Sequence, residues 1–180
     1  MSDFRLVMGG ELLRGKLTGL GRYNHNLAVE LLSSEELDDF KFFVHGRLIE
    51  ASSMLSMREV RERYLGLKSL DAFVGKARSF AARNKWFLSL YRKMIYSRSK
   101  SSLVGYTPKD IYHSPNYIFP SFPGHKIITI ADLSTLHWPQ FHPSSRVEFV
   151  NSYILKACKE ASRIIVISNF VKNEIIEQFG

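Results

Sequence analysis

The chain has 180 residues but only one cysteine, Cys158, and no apolar run long enough to cross a membrane. A single cysteine excludes an internal disulfide, which suits a reducing cytoplasm. The first residues also lack the charged, then apolar, then small-residue order of a secretory signal. We therefore expect a cytoplasmic protein.

Several catalytic motifs are absent as well. The sequence has no Gly-x-Ser-x-Gly, no Cys-x-x-Cys, no Gly-Lys-Ser/Thr, no Asp-x-Asp and no paired carboxylates. His137 and His142 flank Trp138, but their spacing matches no metal-binding pattern, so we expect no metal ion. The chemistry must therefore come from residues that the fold brings together.

The excess of positive charge, by contrast, is confined to one region, because outside it 13 lysines and arginines face 14 acids. The net charge is +8, and residues 57–100 hold twelve lysines and arginines against three acids, a local net charge of +9. This segment has three interpretations: a solvated helical face, a surface for anionic membranes, or a surface for nucleic acid. Aromatic residues interleaved with the cations of residues 76–100 favour the membrane, and we expect no nucleic acid partner.

Apolar runs separated by amphipathic segments predict the fold class. The composition, 45% apolar, is enough for one buried core. Uniformly apolar strands between helices are typical of a parallel sheet covered on both faces, so we predict a single α/β domain with a Rossmann-like, doubly wound parallel sheet. We predict strands at 4–8, 41–45, 110–113, 126–131 and 163–168. Helices are predicted at about 21–32, at 145–162 and from 169; Ser145 and Glu148 fit a capping box for the second, and Ser168 is the expected cap of the third. No strand is predicted within 47–104, where the pattern is helical, and the segment 136–143 is predicted as a loop.

Ligands of such sheets bind at the carboxyl ends of the strands, which selects the candidate site residues. The glycine-rich segment 9–21 leads into the first predicted helix, whose N–H groups favour a phosphate; the alternative is a tight turn from strand to helix without a ligand. Asn24 stands where a dinucleotide fingerprint has its third glycine. Asp132 can accept a hydrogen bond from a substrate hydroxyl, or it can form an Asx turn or cap a helix. His113 can bind a ligand or hydrogen-bond locally. The other candidates at this edge are Gly19, Gly21, Arg22, Asn116, Ser134 and Ser168.

Four segments, in order, resemble the amino-terminal domain of family 4 retaining glycosyltransferases, which have the GT-B architecture. They are Gly19-Leu-Gly-Arg-Tyr-Asn24 with the following helix, Asp110-Ile-Tyr-His-Ser-Pro-Asn116, Ile128-Thr-Ile-Ala-Asp-Leu133, and Ala161-Ser-Arg-Ile-Ile-Val-Ile-Ser168. The resemblance covers most of the chain except the basic middle. It implies one domain over 1–180, with a basic helical insertion at about 57–104.

The resemblance also implies roles. Gly19, Gly21 and Arg22 would approach the donor diphosphate, Asp132 would be catalytic, and the acceptor would contact His113, Asn116 and Ser134. Ala131 departs from the family, which has a histidine there. The nucleotide-sugar would be a co-substrate bound mainly by a carboxyl-terminal domain that this chain lacks, with no other cofactor and no metal.

We therefore expect the acceptor-binding half of a glycosyltransferase that is inactive alone. Its setting would be polysaccharide or lipopolysaccharide assembly at the inner face of the plasma membrane. Its partners would be a sugar acceptor, the carboxyl-terminal domain and an anionic membrane surface bound through residues 76–100. The alternative is a basic, non-catalytic α/β module that binds nucleic acid.

Overall fold

The computed structural model describes residues 4–14, 16–34, 37, 39–64 and 102–180, and only the backbone of residues 58–64. Residues 65–101 lie outside the described residues, and with them the predicted membrane-binding range 76–100 and most of the predicted helical insertion. The strands are β1 (Leu6–Gly9), β2 (Phe40–Val44), β3 (Arg47–Glu50), β4 (Ile111–Ser114), β5 (His125–Ile130) and β6 (Arg163–Val166). The helices are α1 (Gly19–Ser33), α2 (Ala51–Tyr64), α3 (Ser134–His137), α4 (Ser144–Glu160) and α5 (Asn169–Phe179), with 3-10 helices at Glu11–Leu13 and Pro139–Phe141.

The described strands form one sheet in the order β3-β2-β1-β4-β5-β6. Every neighbouring pair is parallel except β2 with β3. Helices cover both faces, because α1 and α2 pack on one and α4 and α5 on the other. The predicted Rossmann-like α/β fold is therefore confirmed.

The antiparallel strand β3 was not predicted, and the expectation of no strand within 47–104 is wrong there. His45 and Gly46 connect β2 to β3, and their φ angles are 48° and 82°. Positive φ at both central residues is the requirement of a type I′ turn, whose twist matches a two-residue hairpin. Asn-Gly is the usual signal for this turn, and His45 at the first position concealed it.

Two other local predictions are corrected. α4 begins at Ser144 after Pro143, and no side chain caps it, so the predicted capping box of Ser145 and Glu148 does not form. The segment predicted as a loop contains α3 and a 3-10 helix. Ser168, in contrast, caps α5 as predicted, since its hydroxyl accepts a hydrogen bond from the N–H of Val171 at 3.2 Å.

The core lies on both sides of the sheet. On the first face, Met8 and Phe42 are fully buried against Ala28 of α1 and Leu55 of α2. On the second face, α4 and α5 cover β5 and β6. The buried residues of that second cluster are Ile128, Ile130, Leu133, Val150, Ile154, Ala157, Val171 and Ile175. The strands are therefore apolar on both faces, and the polar side chains that they carry stand out.

One such polar residue, Asp110, joins the start of β4 to the start of β1. Its carboxylate accepts hydrogen bonds from Nε and Nη2 of Arg5, at 3.0 and 2.7 Å, and from the backbone N–H of Arg5 and Thr107. The hydrogen bond from the Arg5 side chain holds the pKa of Asp110 well below its usual range, although burial opposes this shift. Asp110 is 2% exposed, so the pair is largely shielded from solvent on its acidic side.

Replacing Asp110 by asparagine should lower the free energy of unfolding by about 3 kcal/mol, measured by urea titration at neutral pH. This is the low end for a broken buried ion pair, because Arg5 keeps access to solvent. The folded-state pKa lies below the unfolded one, so the stabilisation is complete above about pH 4 and is lost as the pH falls further.

The matched control is Glu160→Gln, which removes the ion pair with Lys126 at the surface and should cost less than about 1 kcal/mol. Equal decreases in the free energy of unfolding for the two variants would contradict the larger contribution that we assign to the buried carboxylate of Asp110.

Candidate functional site

The strand order reverses at β1, because β2 lies on one side of β1 and β4 on the other; this is the topological switch point of the sheet. In open α/β sheets ligands bind outside the carboxyl ends of the strands at such a point. The two strand ends are close here, since a Cβ atom added to Gly9 would lie 3.2 Å from Cδ of Pro115. We use "carboxyl edge" for the residues at and just beyond the carboxyl ends of β1, β4 and β5, together with the first two turns of α1.

The two predicted phosphate-binding glycines lie in the first turn of α1 rather than in a loop. Thr18 caps this helix, because its hydroxyl accepts a hydrogen bond from the N–H of Gly21. A Cβ atom at Gly21 would lie 2.9 Å from the carbonyl oxygen of Leu12, whereas one at Gly19 would meet nothing within 4 Å. Gly21 is therefore needed for packing, and Gly19 leaves the start of the helix open. Arg22 is exposed beside them, and phosphate binding by the three residues stays a prediction.

Alanine substitutions should separate these two glycines. Gly19→Ala should raise the free energy of unfolding by up to about 1 kcal/mol, because alanine fits there and restricts the unfolded chain. Gly21→Ala should lower it by about 1–3 kcal/mol, because the added carbon is overpacked. Urea unfolding of both variants gives the comparison, and shifts of the same sign would show that the packing difference has been misjudged.

His113 is buried and is the last residue but one of β4, which ends one residue later than predicted. Its Nε2 lies 2.9 Å from Oγ1 of Thr129 in β5, and that oxygen lies 3.1 Å from the phenol oxygen of Tyr23 in α1. Burial lowers the pKa of His113 to about 4, so the imidazole is neutral at physiological pH. Neither Tyr23 nor Thr129 was predicted as a site residue, because only the tertiary structure places them beside His113.

Asn24 links α1 to the end of β1. Its Nδ2 donates a hydrogen bond to the carbonyl oxygen of Gly9 at 2.9 Å, and the side chain is fully buried. A glycine cannot make this bond, which explains an asparagine at the third fingerprint position. The Oδ1 atom of Asn24 is buried and has no hydrogen-bond partner within the described residues. A buried oxygen without a partner lowers the free energy of unfolding, so Asn24 is a second buried polar group near the carboxyl edge whose hydrogen-bonding capacity is not used.

Asn116 stabilises the loop after β4. Its Oδ1 accepts hydrogen bonds from the hydroxyl of Ser114 and from the N–H of Ile118, both at 2.9 Å. Its Nδ2 makes no hydrogen bond to the described part of the chain and is left to donate to a ligand. The predicted contact of Asn116 with an acceptor is therefore compatible with its role in the loop, and it stays a prediction.

Asp132 and Ser134 are in direct contact after β5. Oδ1 of Asp132 accepts hydrogen bonds from both the N–H and the hydroxyl of Ser134, which makes an Asx turn. Partial burial alone would raise the pKa of Asp132, but the hydrogen bonds from Ser134 and the charges of Arg146 and His142 lower it. Its Oδ2 has no partner within the described residues. An exposed, ionised carboxylate thus keeps one oxygen for a substrate hydroxyl.

Arg146 and Tyr117 are additional residues at this place that sequence reasoning missed. Burial raises the pKa of Tyr117, and the charges of Arg146 and Asp132 act on it in opposite directions, Arg146 lowering it and Asp132 raising it. The three residues come from α4, the loop after β4 and the loop after β5. No local pattern connects positions so far apart in sequence.

Glu11 is a further residue that sequence reasoning missed, and it lies just after β1, at the topological switch point of the sheet. Its Oε1 accepts a hydrogen bond from the N–H of His45 at 3.2 Å, and its Oε2 lies 3.8 Å from where a Cβ of Gly9 would stand. Burial raises the pKa of Glu11, although the side chain is open to solvent.

Glu11→Gln should raise the melting temperature at neutral pH, because it removes a carboxylate held in a desolvating place and keeps the acceptor for His45. The folded-state pKa of Glu11 lies above the unfolded one, so its ionisation destabilises the fold as the pH rises through these values. Differential scanning calorimetry should therefore show the gain at about pH 7 and its disappearance below about pH 4. A gain that persists in acid would contradict this origin.

The predicted residues thus share one edge without forming one cluster of contacts. Asp132 and Ser134 touch each other, and His113 reaches the start of α1 through Thr129 and Tyr23. Asn116 belongs to the adjacent loop. The structure places these side chains on neighbouring strands, and their functional roles stay predictions.

An apolar groove of about 420 Å³ lies away from this edge, near the amino end of β6. Its lining comes from Cys158, Lys159, Ile164, Val166, Lys172, Ile175, Ile176, Phe179 and Gly180. Within the described residues, no three histidine, cysteine or acidic side chains are grouped to hold a metal ion. None of the described helices is both long and apolar enough to span a membrane.

Comparison with known proteins gives one informative match. Over 177 residues the chain is 28% identical to O-antigen chain mannosyltransferase B of Escherichia coli. The similarity is to a glycosyltransferase. It covers 98% of this chain but 44% of that protein, so the chain spans less than half the length of its relative. No protein-family profile and no solved structure matches the chain.

Proposed function

We propose that this chain is the acceptor-binding half of a glycosyltransferase of family 4, with the GT-B architecture. The whole enzyme would move a sugar from a nucleotide-sugar to a growing polysaccharide or lipid-linked acceptor. The observation that carries the proposal is the similarity to the mannosyltransferase, because it runs through nearly the whole chain and includes every strand of the carboxyl edge. The O-antigen in the relative's name supports lipopolysaccharide assembly as the setting.

The described side chains fit an acceptor site. Oδ2 of Asp132 and the carboxylate of Glu11 can accept hydrogen bonds from a ligand, and Nδ2 of Asn116 can donate one, because Asp132 and Asn116 use only their Oδ1 atoms to hold their loops. A sugar ring presents several hydroxyls that each donate and accept, so it matches a mixed set of this kind. The open start of α1 at Gly19, with the adjacent Arg22, is the place proposed for the donor diphosphate.

Because the acceptor and the donor would be bound by different domains, the proposal predicts that the isolated chain does not transfer sugar. Half of a site cannot hold both the leaving diphosphate and the acceptor in place for the reaction. The missing half would come from a carboxyl-terminal domain, and membrane attachment through residues 76–100 would bring the enzyme to a lipid-linked acceptor.

The test fuses this chain to the part of the Escherichia coli mannosyltransferase that lies outside the aligned residues. Transfer of radiolabelled mannose from a nucleotide-linked donor to extracted lipid-linked oligosaccharide is then measured. We expect no transfer by the chain alone and measurable transfer by the fusion. Transfer by the unfused chain would contradict the proposal.

The decisive variant of the fusion is Asp132→Asn. Asparagine keeps the Asx turn through its remaining oxygen but replaces the unpaired Oδ2 by an NH₂ group, which donates where a substrate hydroxyl needs an acceptor. We expect transfer to fall by about 100-fold or more with the fold intact. Asp39→Asn, a carboxylate just before the amino end of β2, is the matched control and should leave transfer unchanged.

A further inference from the structure

The hydrogen-bond chain from Tyr23 through Thr129 to His113 has no assigned purpose. It joins α1, β5 and β4 in two steps of 3.1 and 2.9 Å. Thr129 is 2% exposed and His113 is 4% exposed, so water does not compete for these bonds. These two hydrogen bonds therefore determine which ring nitrogen of His113 carries the proton.

Acid–base chemistry decides which group donates in each of these two hydrogen bonds. The single hydroxyl hydrogen of Thr129 goes to one neighbour, and the threonine oxygen accepts a hydrogen from the other. A phenol is more acidic than an alcohol, which makes Tyr23 the better donor, and a neutral imidazole nitrogen is the strongest acceptor of the three groups. Tyr23 therefore donates to Thr129, and Thr129 donates to Nε2 of His113. Bonds that point the same way also strengthen one another.

This direction decides the tautomer of His113. With Nε2 accepting, the one proton of the neutral ring lies on Nδ1. Within the described residues Nδ1 has no hydrogen-bond partner, and it is not one of the fully buried atoms that lack one, so it lies at the small exposed part of the side chain. From there it can donate a hydrogen bond to a ligand oxygen at the carboxyl edge.

We infer that Tyr23 and Thr129 are positioning residues that hold His113 as an uncharged Nδ1–H donor for a hydroxyl oxygen of a sugar acceptor. An uncharged donor suits a hydroxyl better than a phosphate, because it offers no charge to balance an anion. The sugar as ligand rests on the proposed function; the tautomer rests on the geometry alone. Because burial keeps the pKa of His113 near 4, the donor is present throughout the neutral range.

The tautomer can be measured in the 180-residue chain without ligand. Long-range proton–nitrogen NMR correlation on histidine labelled with ¹⁵N distinguishes a protonated from an unprotonated ring nitrogen, and His113→Asn assigns the signal. From about pH 6 to about pH 8 we expect Nδ1 protonated and Nε2 unprotonated, the minor form of free histidine. A proton on Nε2 would overturn the inference.

Variants test the positioning role. Thr129→Val removes the hydroxyl at nearly constant shape and should move the proton towards Nε2, and Tyr23→Phe should give a mixture of tautomers. Thr129→Ser restores a hydroxyl and should restore the Nδ1–H form. Thr135→Val is the control, since Thr135 is similarly buried at 5% exposure but outside the chain, and should change nothing. An unchanged tautomer in Thr129→Val would contradict the role of Thr129.

The ligand class is tested with methyl α-D-mannopyranoside as the probe and inorganic phosphate as the comparison. We expect the mannoside to shift the His113 ring signals, with about tenfold weaker binding to Thr129→Val, and we expect no shift from phosphate. The expected tautomer without any response to the mannoside would uphold the hydrogen-bond chain but count against a sugar ligand, and hence against the proposed function. A response to phosphate instead would overturn the ligand class.

Discussion

The carboxylate of Asp110 sets the register between β1 and β4, and the candidate site depends on that register. It binds the side chain and the N–H of Arg5, and the N–H of Ile111 donates to the carbonyl of Arg5 at 2.9 Å. Met8 therefore lies opposite His113. A slip by one residue would turn His113 to the other face of the sheet, away from Thr129 and from α1.

Polar groups are treated differently at the two edges of the sheet. At the amino edge, Asp110 accepts hydrogen bonds at both oxygens, and its pKa falls well below the usual range because the ionised form is so well bound. At the carboxyl edge, Glu11 has a raised pKa, Asn24 has a buried oxygen without a partner within the described residues, and His113 is desolvated. The first arrangement stabilises the fold, and the second costs stability where a ligand can recover it.

Turn-forming side chains at the carboxyl edge serve two purposes. Asn116 and Asp132 each use one oxygen to hold a loop, and each keeps its second polar atom for other partners. Each side chain therefore shapes the local backbone while its second polar atom stays available. The sequence suggested that Asp132 either forms an Asx turn or contacts a substrate; in the structure Oδ1 forms the turn, and Oδ2 remains for the proposed contact.

The sequence by itself determined the α/β class, five of the six strands and the edge at which the polar residues gather, because apolar runs and strand ends are local patterns. It failed for β3, where an unusual His45–Gly46 turn concealed a hairpin, and for the start of α4, where Ser145 lies two positions after the N-cap residue Pro143. Only the tertiary structure decided that Gly21 packs while Gly19 is open. Only it could bring Tyr23, Thr129 and His113 together, since these lie on three separate elements. Such contacts depend on strand order and register, which no local pattern contains.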